Sequence, residues 1–154
     1  MKGRALRQKL SDKKYDFVVL RDAAAAAFEN TRAALNVILP FVEANGAEPL
    51  LYMRYSNTLE GAKKLCDIYT RLSKEFKIAA CRTAVAFAGI MADHPEIDLF
   101  AEDGSHHSKE GSYLAACAWL YAFCGIDPRG NAYTARLPAK TADILQNAAY
   151  AAYF

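Results

Sequence analysis

No apolar run in this sequence reaches the roughly 18 residues that a membrane-spanning helix requires, so no membrane span is expected. The opening residues, Met1-Lys2-Gly3-Arg4-Ala5-Leu6, lack the apolar core of a signal peptide. Nothing in them requires export, and the compartment stays open. Charge of one sign is not in excess either. The chain has 19 basic and 17 acidic residues, interspersed except for a basic N-terminal cluster of Lys2, Arg4, Arg7, Lys9, Lys13 and Lys14. That cluster has no interleaved aromatic residues, so it reads as a solvated helix face, and no nucleic-acid partner is expected. The four cysteines, Cys66, Cys81, Cys117 and Cys124, lack the close paired spacings of zinc sites. Cys117 and Cys124 fall on one helix about 10 Å apart along its axis, too far for a disulfide. All four read as buried thiols acting as small hydrophobes. His94 has no second and third candidate ligand and reads as an ordinary loop histidine, so no metal is expected.

At 154 residues the chain is expected to form one domain spanning 1–154. Hydrophobic residues make up 53% and charged residues 23%, which suggests neither disorder nor a membrane protein. Residues 4–13 read as a short polar helix with Leu6 and Leu10 four apart. Tyr15–Leu20 is a compact β-branched run of the kind found in a strand buried on both faces. Ala24–Ala44 reads as an alanine-rich helix, stopped by Asn45-Gly46 and kinked or divided at Pro40. Pro49–Tyr55 reads as a second strand. Ser56-Asn57-Thr58 then offers caps for a helix to about Phe76. Lys77–Phe87 reads as a third strand, and the alternation predicts right-handed crossovers and a parallel sheet. An irregular stretch from about Met91 to His107 follows, long enough to suggest function. Ser108 would cap a helix to Cys124-Gly125, in which Gly111 is a weak spot. After the Asp127-Pro128-Arg129-Gly130 turn, a last helix runs over Ala139–Tyr153.

Inside the irregular stretch lies Asp103-Gly104-Ser105-His106. A carboxylate so close to a histidine is a ready acid–base pair, with the imidazole as general base and the aspartate holding its tautomer and charge. Joined to His107-Ser108-Lys109-Glu110-Gly111-Ser112-Tyr113-Leu114-Ala115-Ala116-Cys117, it resembles the C-terminal block of SGNH (GDSL-type) hydrolases. Tyr15–Leu20 is similar to that family's third strand and Gly46–Tyr55 to the run into its fourth. The resemblance implies a three-layer α/β/α fold with a short parallel sheet, flavodoxin-like, in which the first two strands of the complete fold are missing. It implies His106 as general base and Asp103 as its orienting partner, acting on a small-molecule acyl, acetyl or carbohydrate ester with no cofactor. Ser105 would be a turn residue, and His107, where the family often has proline, a helix-start residue.

The family's nucleophile lies in a Gly-Asp-Ser-type motif after its first strand, and this sequence has no such motif. Its serines are Ser11, Ser56, Ser73, Ser105, Ser108 and Ser112. Ser56, just past the second strand, reads as a capping residue before it reads as a substitute nucleophile. Two functions follow: an ester hydrolase that turns over when a nucleophile half is supplied, or a non-catalytic remnant serving as a binding or assembly module. A flavodoxin-like ligand binder is disfavoured, because Arg21-Asp22-Ala23-Ala24-Ala25 is no glycine-rich phosphate loop. With two strands missing, the edge of strand Phe17–Leu20 would be open. That predicts a homo-oligomer, a separate N-terminal half, or cover by the N-terminal helix.

Overall fold

The computed structural model of the protein describes residues 4–22 and 27–154. It is a mixed α/β structure with the order α1 (Arg4–Asp12), β1 (Phe17–Leu20), α2 (Phe28–Asn45), β2 (Glu48–Tyr52), α3 (Leu59–Phe76), β3 (Ala80–Cys81), α4 (Thr83–Asp93), α5 (Lys109–Cys124) and α6 (Ala139–Ala151). The three strands form a short parallel sheet in the order β1-β2-β3. Phe17 stands opposite Glu48 and Leu20 opposite Leu51. Among the described residues no helix is long and apolar enough to cross a membrane.

The contacts divide the chain into two compact units, one of residues 1–52 and 68–80, the other of residues 53–67 and 81–154. In the first, Leu10 of α1, Val42 of α2 and Ala47 form a buried cluster on which Leu6, Val18, Ile38 and Phe41 pack. The four-residue spacing of Leu6 and Leu10 thus puts both leucines of α1 on one inward side, and the helix covers the Val18 side of β1. Phe17 and Val19 point the other way and stay 42% and 43% exposed. The expected buried strand is therefore covered on one face only. Asn45, at the end of α2, is itself buried. Its amide donates to the carbonyls of Leu10 at 2.5 Å and Lys13 at 2.7 Å, and its oxygen accepts from the Tyr15 amide. This one side chain ties the end of α1 and the entry to β1 to the helix terminus. Gly46 then takes a left-handed φ of 82°, which a side chain would resist, and its N–H turns back to the last carbonyls of α2.

In the second unit α4, α5 and α6 pack on one another. Phe87 and Ile90 of α4, Leu114 and Ala118 of α5, and Leu145 and Ala149 of α6 are buried. Gln146 is the polar exception. Its amide donates to the Tyr113 hydroxyl at 2.7 Å and the Asn131 carbonyl at 3.0 Å, while its oxygen accepts from the Gly130 amide at 2.8 Å. With its hydrogen-bonding groups engaged, the buried amide pins the turn between α5 and α6, and those bonds offset the cost of taking it out of water.

Several expectations from the sequence are corrected. Lys77–Phe87 is not a strand: only Ala80–Cys81 pairs, and Thr83 begins α4. Alanine is the best helix former, and a helix buried as widely as α4 (Thr83, Ala84, Ala86, Phe87, Ile90) has no polar stripe to betray it. The irregular stretch accordingly begins only after Asp93, and β2 stops at Tyr52, short of Tyr55. Helix α2 runs through Pro40 undivided. It begins at Phe28, with Ala27 as its extended N-cap, so Ala27 is not yet helical; the expected start from Ala24, and with it most of the Arg21–Ala25 turn, falls on residues outside the described ones. Of the four cysteines Cys81 and Cys117 are buried, but Cys66 is half-buried and Cys124 exposed, so only part of the set behaves as core.

Candidate functional site

The segment after α4 is shaped by backbone hydrogen bonds. His94 ends that helix with its ring Nδ1 3.2 Å from a Glu96 oxygen. Phe100 and His107 then form an antiparallel bridge, and the Ala101 amide donates to the His106 carbonyl at 2.8 Å. Residues 101–106 are thereby folded into a tight turn, in which Gly104 adopts a φ of 63° and donates to the Ala101 carbonyl. Glycine meets that left-handed requirement at no steric cost.

Asp103 and His106 meet across this turn. The Asp103 Oδ2 lies 2.6 Å from His106 Nδ1. A carboxylate only accepts, so Nδ1 carries the hydrogen and the neutral ring holds its lone pair on Nε2, the tautomer a general base needs. The other carboxylate oxygen, Oδ1, accepts from the Ser105 and His106 amides, both at 2.9 Å. Both oxygens of Asp103 are thus committed. The His106 hydrogen bond first, and then the two amides, hold the Asp103 carboxyl well below the ordinary carboxylate range. The same bond and the carboxylate charge raise His106 above its usual 6.5. Both side chains face solvent, 51% exposed for Asp103 and 82% for His106.

The turn rests on an aromatic group. The His107 ring lies 3.9 Å from the Tyr55 ring centre and 5.0 Å from that of Phe87, and Phe100 packs against both Tyr55 and Phe87. His107 thus sits in the bridge, one residue before the Ser108 cap, and is not part of α5. Burial, and then the neighbouring His106, lower its pKa, and its buried Nε2 has no hydrogen-bond partner. A neutral imidazole here serves as a flat packing element beneath the dyad. The Tyr55 hydroxyl donates to the Ser105 carbonyl at 3.1 Å, and the Asn57 amide donates to the Gly104 carbonyl at 2.9 Å. Neither residue stands out in the sequence as part of a site. The only local signal was a polar triplet past a strand end, which also fits a helix cap.

Beyond the turn, Ser108 caps α5 as its position suggested, its hydroxyl accepting from the Gly111 amide and donating to the Asp98 carbonyl at 2.8 Å. No hydroxyl or thiol among the described residues hydrogen-bonds to the His106 ring. The Ser11 hydroxyl donates to Arg7 and that of Ser73 to Ile78. Thr58, not Ser56, supplies the oxygen that caps the Gly61 amide of α3, and the Ser56 oxygen accepts from the Thr58 amide. No three acidic, histidine or cysteine side chains among the described residues are grouped to hold a metal ion. Comparison with protein-family models, with curated proteins and with solved structures gave no match.

Proposed function

We propose that this chain carries the acid–base part of an SGNH-type ester hydrolase. The observation that supports it is the doubly anchored Asp103, which presents one oxygen to His106 Nδ1 at 2.6 Å while two backbone amides hold the other. In acyl transfer such a carboxylate keeps Nδ1 protonated and stabilises the imidazolium formed when Nε2 takes the proton of an attacking hydroxyl. Asp103 orients and His106 is the base. The attacking hydroxyl belongs to a serine brought to Nε2 from outside the described residues, and the substrate class is acyl or acetyl esters, carbohydrate esters among them.

The solvent-facing position of the pair favours a second reading, a non-catalytic module in which the same turn survives as structure. Turnover of a small aryl acetate separates the two. Hydrolysis that disappears in His106→Ala, with labelling of a serine by a fluorophosphonate probe, supports the enzyme. No turnover and no labelling, also after joining to any in-frame upstream segment encoding a strand followed by Gly-Asp-Ser or Gly-Asn-Ser, sinks it.

A further inference from the structure

The two amides that grip Asp103 belong to consecutive peptide groups. The N–H of Ser105 and the carbonyl of Gly104 are one planar unit, and the N–H of His106 and the carbonyl of Ser105 are the next. At the carbonyl ends the same two units are held from across the fold. Asn57 donates to the Gly104 carbonyl at 2.9 Å and Tyr55 to the Ser105 carbonyl at 3.1 Å. Two hydrogen-bond chains therefore converge on one oxygen. One runs from the Asn57 amide through the Gly104–Ser105 peptide to Asp103 Oδ1, the other from the Tyr55 hydroxyl through the Ser105–His106 peptide to the same atom.

From this geometry we infer that Tyr55 and Asn57 are positioning residues for the dyad, fixing the orientation of the two peptide planes that aim Asp103 at His106. This deepens, and rests on, the acid–base reading of the turn. A rigid planar peptide passes a constraint at its oxygen directly to its N–H, and hydrogen bonds in series polarise one another. Tyr55 is well placed for the task. Its ring is stacked on Phe87 at 5.4 Å and packed on His107 at 3.9 Å, so its hydroxyl has little freedom. Asn57, which is exposed, adds a second point through the Gly104 carbonyl, and two points stop the turn from pivoting about either.

Two effects oppose each other at His106. Losing the donors makes the carboxylate more basic, which strengthens its hold on the imidazolium. Losing the orientation lengthens the bond and weakens that hold. Polarisation along a chain changes a bond by about 10–30%, whereas a misaligned bond is lost. Orientation therefore dominates.

The test is an NMR titration of the imidazole rings and the Asp103 carboxyl in the whole chain, comparing the unmodified protein with Tyr55→Phe, Asn57→Ala and the double variant. The sequence has three histidines, so the ring signals are few, and His106 is the one missing from His106→Ala. Tyr55→Phe keeps the ring contacts, and Asn57 is exposed, so the fold is expected to persist, with circular dichroism as the check. In the double variant the His106 midpoint should fall toward its ordinary value and that of Asp103 should rise. A His106 midpoint that is unchanged or higher in the double variant overturns the assignment. No catalytic turnover enters this readout, so a negative esterase assay sinks the hydrolase and leaves the positioning claim standing or falling by itself.

Discussion

Gly111, in the first turn of α5, stands against the carbonyl of Leu99, so that a Cβ placed on it would overlap the Leu99 oxygen. The same carbonyl accepts from the Ser108 amide at 3.0 Å. The helix start is thus drawn onto the strand-like segment that opens the dyad turn, and glycine is what lets it approach. The weak spot of the sequence reading is a packing requirement.

Gly111→Ala should accordingly destabilise the fold, although alanine is the better helix former by about 1 kcal/mol. The obstructing atom is backbone and has no rotamer to retreat to, and overpacking of this kind costs roughly 1–3 kcal/mol. Urea denaturation measures it. An unchanged or higher midpoint would mean that the helix start slides away freely.

The Asp103–His106 pair sets a pH window. Asp103 is depressed from its usual 3.8, so its contribution is present above that value and is lost as the pH falls through the folded one. His106 is raised from 6.5, so its contribution is full below that value and is lost as the pH rises through the folded one. The stability difference between the protein and His106→Ala should peak between the two and shrink on either side, modest throughout because both groups face water. Thermal melts from pH 2 to pH 9 in both proteins would reveal the hump; a flat difference would mean that the pair is not formed. Any hydrolysis depending on neutral His106 should rise with pH, with a midpoint above 6.5.

Thiol reactivity should separate the cysteines. Cys124 is exposed, whereas burial raises Cys66 and Cys117 and pushes Cys81 up to about 11. Only a thiolate attacks, so iodoacetamide at pH 8 should modify Cys124 first and leave Cys81 intact until the chain unfolds. Peptide mass spectrometry gives the order, and early labelling of Cys81 would contradict its burial.

Strand β1 ends the sheet and leaves Phe17 and Val19 exposed. Concentration-dependent self-association is expected, and Val19→Lys should reduce it, because a lysine on an edge strand opposes further pairing. Size-exclusion chromatography across a range of loadings is the measurement. A monomer at every concentration in the unmodified protein removes the expectation.

Much of this was readable in the residues. The strand from Phe17, the helices α3, α5 and α6, and the Ser108 cap followed from periodicity and cap chemistry. The pairing of Asp103 with His106 was legible because the two residues share one turn, where spacing nearly fixes geometry. The residues of helix α4 read as strand because a short apolar run buried on most sides has no period to distinguish the two structures. Cys124 reads as core but is exposed, because the polarity of a thiol says little about where a helix end will sit. The hold of Asn57 and Tyr55 on the turn left no trace in local pattern: donor and acceptor are 47 and 50 positions apart.

That separation gives the two levels of the site different thermal fates. Closing a three-residue link from Asp103 to His106 costs little chain entropy, while the contacts from Asn57 and Tyr55 must enclose loops more than ten times as long. Warming should therefore release the brace before the short turn itself opens, leaving Asp103 and His106 near each other in the chain but no longer aimed to share a hydrogen bond.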